Sequence, residues 1–253
     1  MPTAGPVLED FSLDVPRFGV LGVRGPSGRG KSTLLKLLMR YWDPSSGTVR
    51  MSGAPLPDVS AAHRRRVQAL MGQETHLFDG SIRDNLLIAL PEETIRALGG
   101  ERGDSSAAKG AVSDGGVSES VRLDETLREA CRKASVLELI DSLPEGLDTP
   151  VGELGDRLSE GERQRIGLAR VFLRDADLVL FDEPTSRLDA LNEAVILRSI
   201  QAFATGEGET PVGKTGAGEA GMAEASVGRR RRAVVLVSHR ESAMRVADRI
   251  LTF

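Results

Sequence analysis

The stretch that decides the fold runs from Leu158 to Asp189 and reads LSEGERQRIGLARVFLRDADLVLFDEPTSRLD. A polar, glycine-containing turn opens a helical pattern at Glu160–Arg174, and the helix gives way to an apolar strand, Leu178–Asp182, with Glu183 immediately after it. That spacing places two adjacent carboxylates, Asp182 and Glu183, at the C-terminal tip of a buried strand, where open α/β sheets hold their ligands. Two acidic residues in isolation would read as a solvated turn. Bracketed by Leu178-Val179-Leu180-Phe181 and by Pro184-Thr185, they read as part of a site.

Upstream, Gly25-Pro26-Ser27-Gly28-Arg29-Gly30-Lys31-Ser32 fits the phosphate-binding pattern G-x-x-x-x-G-K-[ST] without mismatch. It follows the apolar run Gly19–Val23 and precedes the helical pattern beginning Lys31-Ser32-Thr33-Leu34, the strand–loop–helix context the motif requires. Its glycines let backbone N–H groups turn inward as an anion nest, and the helix N-terminus adds its positive dipole end. Lys31 then supplies a charge for the β- and γ-phosphates and Ser32 a hydroxyl for Mg²⁺.

Short apolar runs at Gly19–Val23, Val67–Met71, Leu178–Asp182, Ala233–Val237 and Ile250–Phe253 predict strands of a parallel sheet covered on both faces. Helical patterns at Lys31–Arg40, Leu123–Ile140, Glu160–Arg174, Ala190–Phe203 and Glu241–Val246 alternate with them, which makes the fold class α/β. Ile82 to Pro144 carries helical signal and little strand signal. Gly99–Ser120 and Thr205–Gly228 are rich in glycine and small polar residues without apolar periodicity and read as flexible insertions. The run Arg230-Arg231-Arg232, preceded by Arg229, reads as a solvated stretch flanking a strand rather than as a nucleic-acid or lipid patch.

At 253 residues and 40% hydrophobic content the chain can bury a substantial core. A net charge of −4 argues against a surface built chiefly for nucleic acid, and none is expected as a partner. The single cysteine, Cys131, rules out an internal disulfide framework and reads as a small core residue on a helix. The N-terminus lacks the pattern of a secretory signal, and no apolar run approaches the roughly 18 residues of a membrane span. Any membrane contact is expected to go through a partner chain.

Taken together, these motifs resemble the ATP-binding domain of ATP-binding cassette (ABC) transporters: a P-loop NTPase-type, mostly parallel sheet flanked by helices, with a helical signature subdomain. Leu158-Ser159-Glu160-Gly161-Glu162 stands where the family's signature stands, Leu178–Glu183 resembles its Walker B strand, and Ser186-Arg187-Leu188-Asp189 its D-loop. Gln73 matches the Q-loop glutamine and His239 the switch histidine. The resemblance implies one ABC ATPase domain over 1–253, with a RecA-like core at 1–81 and 158–253 and a helical subdomain at 82–157. It implies that Asp182, Ser32 and Gln73 hold Mg²⁺, that Glu183 is the general base, and that His239 and Gln73 complete the catalytic set. Gly25–Thr33 would bind ATP in one chain, while Ser159, Gly161 and Asp189 would serve the ATP of a second ABC ATPase domain arranged head to tail. Thr149–Gly155 is similar to the exporter X-loop, whose glutamate, here Glu153, contacts a transmembrane permease together with the Q-loop region. His76–Leu86 also looks like an exporter segment. The implied location is cytoplasmic, on the inner face of the membrane through that permease.

Three departures qualify the expectation. Glu160 and Glu162 replace the family's usual glycine and glutamine and bring negative charge toward a triphosphate. No aromatic stands before Pro6-Val7-Leu8 to stack on adenine, and Phe11 is too near the P-loop to do so; losing such a stack, worth about 1 kcal/mol, weakens ATP binding severalfold to tenfold. Both ends read as clipped. Two other readings compete with a transporter ATPase: a catalytically idle nucleotide-binding fragment, and a soluble cassette ATPase acting on DNA or ribosomes.

Overall fold

The structure, a computed structural model, describes residues 7–100, 117–174, 176–207 and 230–253. Its centre is a five-stranded parallel sheet built from β1 (Gly19–Arg24), β4 (Gln68–Met71), β5 (Leu178–Asp182), β6 (Ala233–Val237) and β7 (Arg249–Thr252), in the order β4-β5-β6-β1-β7. All five predicted strands are present, with ends shifted by a residue or two. Side chains alternate along each central strand between two apolar layers. Val20, Val179, Phe181, Val234 and Leu236 face the larger core, while Leu21, Val23, Leu180, Val235 and Val237 face the smaller one. Burial on both faces is why these strands read as uninterrupted apolar runs.

The smaller core is covered by α1 (Lys31–Leu38) through Leu34 and Leu35. The larger one is covered by α3 (Ile82–Leu87), α4 (Glu92–Ala97), α5 (Val117–Lys133), α6 (Leu137–Ser142), α7 (Glu160–Leu173), α8 (Ala190–Thr205) and α9 (Glu241–Met244). A two-residue hairpin, β2 (Arg50–Met51) and β3 (Ala54–Pro55), turns through Ser52 and Gly53, both at positive φ. It escaped the sequence reading because two-residue strands have no period, as did α2 (Ala61–Val67), which buries no residue.

Other expectations need correction. The helix expected over Leu123–Ile140 is two helices. After Lys133 the chain tightens, Ser135 takes a left-handed φ of 57°, and the Val136 N–H bonds to Cys131 O at 2.9 Å. Apolar spacing runs through this break because both helices bury residues in one core. The insertions expected at 99–120 and 205–228 fall largely outside the described residues. At their margins Gly100 closes α4 by donating to Ile95 O, α5 begins at Val117, and α8 ends at Gly206 in the left-handed region. Nor is the arginine run simply solvated. Arg232 is 4% exposed, with its guanidinium over the Phe203 ring and donating to Phe203 O at 3.1 Å. Cys131 is the core residue expected, its thiol pushed up to about 12 by burial.

Candidate active site

In a parallel sheet every strand ends on the same edge, so the four adjacent strands β4, β5, β6 and β1 deliver their following loops to one rim. Register makes this tight: Asp182 pairs level with Val237, and Val237 with Val23. Gly25–Gly30 leaves β1, Gln73 follows β4, Asp182 and Glu183 end β5, and His239 follows β6.

Gly30 caps α1 at φ 95°, and a Cβ there would come within 2.9 Å of Val7 and Leu8 side chains. Pro26, Ser27, Gly28 and Arg29 are exposed, with Gly25 and Thr33 half-buried beside them. Lys31 is 8% exposed and donates to Gly25 O and Pro26 O, both at 2.8 Å, so its ammonium sits inside the loop's own turn. From the first turn of α1, Ser32 Oγ donates to Asp182 Oδ2 at 2.9 Å. Burial raises the Asp182 pKa; the Ser32 hydrogen bond opposes that shift and the Glu183 charge adds to it. Two hard oxygens side by side, one on a carboxylate that gains from a nearby cation, suit Mg²⁺, which takes few protein ligands and completes its shell with water and phosphate. Among the described residues no group of three or more His, Cys, Asp or Glu could hold a metal by itself.

Glu183 is left-handed at φ 53°, a conformation costing about 1 kcal/mol for a residue with a Cβ. Its N–H donates to Val237 O at 2.9 Å, and its carboxylate Oε1 lies 3.3 Å from His239 Nδ1. The Glu183 side chain is 18% exposed and that of His239 61%. The structure therefore gathers Lys31, Ser32, Asp182, Glu183 and His239. Gln73 reaches the same rim but is exposed, and its side chain has no hydrogen bond among the described residues.

Ser159 and Gly161 stand apart from that cluster, at the N-terminus of α7, which packs chiefly on α5, α3 and β4. Ser159 forms a capping box with Glu162: its Oγ accepts from Glu162 N, and its own N–H donates to Glu162 Oε2 at 2.8 Å. Glu160 pairs with Arg187 of the following loop. Both extra carboxylates thus have partners within the chain. Asp189 caps α8, accepting from Leu191 N and Asn192 N; the Asn192 side chain and these backbone bonds hold its carboxyl below the ordinary range.

Residues 8–186 match the family model for ABC transporters. This chain belongs to the ABC transporter family. The ABC domain is 36% identical over 245 residues to a probable ABC transporter ATP-binding/permease protein of Haemophilus influenzae, covering 97% of this chain and 35% of that protein. It is 32% identical over 245 residues to the ABC transporter ATM1 of Toxoplasma gondii, covering 97% of this chain and 17% of that one. Among solved structures it resembles a bacterial Atm1-family ABC exporter with ATP bound, at a TM-score of 0.72 and 26% identity over 98% of this chain and 34% of the other. The chain spans about a third, or less, of these relatives' length.

Several residues of this ABC domain were not singled out by motif. Arg240, beside His239, donates to Ser186 O, Leu188 O and the buried Glu193, while Ser242 donates to the other Glu193 oxygen. Arg170 and the fully buried Asn85 fasten the 76–81 segment to α7. Gln164 reaches the carbonyl of Glu183. Arg240 carried a sequence cue in its place next to the histidine, and Asn85 in lying within the exporter-like segment His76–Leu86. A cleft of about 1900 Å³ opens between residues 7–17, α1 and the 42–53 segment; of the site residues it touches only Thr33.

Proposed function

We propose that this ABC domain hydrolyses ATP at the rim formed by β1, β5 and β6 and, paired with a second ABC ATPase domain, drives export through a transmembrane permease. The observation that carries the reading is the contact of Glu183 with His239 beside the Ser32–Asp182 pair and Lys31, all at one sheet edge. Lys31 would exchange its two loop carbonyls for β- and γ-phosphate oxygens without a large movement of its backbone. Ser32 and Asp182 would hold Mg²⁺, with Gln73 approaching from the end of β4. Bound there, the ion would neutralise charge on the phosphate oxygens. Glu183 would take the proton of a water attacking the γ-phosphorus as the bridging bond to the β-phosphate breaks, leaving ADP and phosphate. His239, held by Glu183, would hydrogen-bond the transferring group.

One feature supports a second chain. Gly161 lies in the first turn of α7, yet a Cβ there would meet only Arg187 O at 3.6 Å and Leu188 Cδ2 at 3.8 Å, ordinary contact distances. Nothing among the described residues of its own chain demands a glycine, whereas a phosphate approaching the helix N-terminus from a partner would. Ser159, Gly161 and Asp189 would then face the ATP held by Gly25–Thr33 of the opposite chain.

For the permease, an antiparallel bridge, Ser81 to Pro150, ties the Q-loop exit to the segment carrying Glu153, and Phe78 and Leu154 are 59% and 72% exposed on these two segments. No helix among the described residues is long and apolar enough to cross a membrane. We place the domain on the cytoplasmic face through that partner, with the core and helical parts divided near residues 81 and 158.

Mg²⁺-ATP turnover measured against protein concentration tests this. Turnover should rise faster than linearly and disappear in Glu183→Gln. A strictly linear rise, or an active Glu183→Gln, overturns the paired site or the base respectively.

A further inference from the structure

The carbonyl oxygen of Glu183 accepts two hydrogen bonds: one from Ser186 N at 3.1 Å, within the same turn, and one from Gln164 Nε2 at 3.3 Å, from a different element. Gln164 lies on α7, two turns closer to the signature than Arg170, and is 2% exposed. Its other carboxamide atom, Oε1, is buried with no hydrogen-bond partner among the described residues. A buried oxygen without a partner is unfavourable, and an apolar side chain of the same length would avoid that burden altogether. Gln164 therefore brings a destabilising atom into the core and delivers a single useful group, the Nε2 donor, to the peptide of one residue.

That residue has the strained backbone. Glu183 is left-handed, with its N–H on Val237 O and its side chain turned to His239. Pro184 follows it and disfavours the right-handed helical region. The relaxed alternative is extended backbone, which would carry β5 one residue further and swing the carboxylate away from the histidine. The hydrogen bond from Gln164 holds the carbonyl on the far side of the same residue.

We propose that Gln164 is a positioning residue for the general base: its carboxamide, anchored in the signature helix, pins the Glu183 carbonyl and keeps that residue left-handed, with its carboxylate aimed at His239. This rests on the reading of Glu183 as the base. It also makes the base respond to the orientation of α7, the helix whose N-terminus carries Ser159 and Gly161.

The test is Gln164→Met, which keeps the length of the side chain and removes both polar atoms, with Gln164→Leu as a second variant should methionine disturb the packing. Three quantities are measured on the purified chain: steady-state turnover, ATP affinity and Tm. Crystal structures of the native and variant chains are compared as well. Misplacing a catalytic group by about 1 Å lowers kcat by as much as about 100-fold, so a smaller shift costs about 10- to 100-fold. The expected result is that loss in kcat, ATP affinity within about twofold, an unchanged or higher Tm, and Glu183 relaxed to negative φ. Unchanged kcat, or Glu183 still left-handed in the variant, overturns the proposal. So does a parallel fall in kcat, affinity and Tm, which is the behaviour of a packing residue. A native chain without turnover would instead sink the ATPase reading, while the backbone of Glu183 in the variant crystal still decides the role of Gln164.

Discussion

Asp182 joins the chemistry of the site to the stability of the fold. Burial raises its pKa, the Ser32 hydrogen bond pulls it back, and the charge of Glu183 adds to the rise. A raised value means that the folded chain binds this proton more tightly than the unfolded chain does. The stability it contributes is therefore complete below the unfolded carboxylate range and is lost as pH rises through the folded value. Asp182→Asn removes that loss. The variant should melt above the native chain at neutral pH, with the difference closing as the medium is taken down to about pH 4. Thermal melts across that range check it, and a difference that does not vary with pH would show that Asp182 titrates as it does unfolded. The motif made the identity of this carboxylate legible in the sequence. Its raised pKa was not, because burial is decided by how distant elements pack, and the hydroxyl that opposes the rise comes from a helix 150 residues away in the chain.

α7 is the element on which most of the cross-connections converge. Its N-terminus is set by the Ser159–Glu162 capping box, its middle carries Gln164, and near its C-terminus Arg170 donates from Nε to Asn85 O and from Nη1 to His76 O, each at 2.7 Å. Burial lowers the pKa of this guanidinium to about 10, which leaves it charged at neutral pH. It faces carbonyl and carboxamide oxygens, and its planar fork serves several of them at once. A lysine has one ammonium and cannot reproduce that geometry. Arg170→Lys should lower unfolding stability by about 2 kcal/mol, since at least one buried carbonyl loses its charged donor. Urea titration would measure it, and a change within error would mean that the 76–81 segment is held without the Arg170 fork, by Asn85 and the Ser81–Pro150 bridge. The helix itself was readable from the polar turn that opens it and the helical pattern that follows. Its partners were not, because hydrogen bonds to backbone carbonyls leave no trace in residue type at the receiving end.

Across the molecule, the proposed pairing predicts a species that the single chain cannot show. If ATP joins two domains and hydrolysis separates them, slowing hydrolysis should let the joined form accumulate. Glu183→Gln with Mg²⁺-ATP should therefore sediment at twice the 27.1 kDa of the single chain, and ADP should return it to that mass. Sedimentation velocity reads this directly, and one mass under all conditions would remove the head-to-tail pair. The family, the parallel α/β class and the residues of the P-loop and the β5 tip were all readable from the chain alone. Each depends on local physics: a loop that nests phosphate needs its glycines in fixed sequence, and a strand buried on both faces must be apolar throughout. Tertiary structure alone decided that β4, β5, β6 and β1 are neighbours, that Arg232 is buried against Phe203, that the α5–α6 helix breaks at Ser135, and that Gln164 meets Glu183. Those outcomes follow from contacts between residues far apart in sequence, where the energy belongs to a pair and neither partner's identity announces the other.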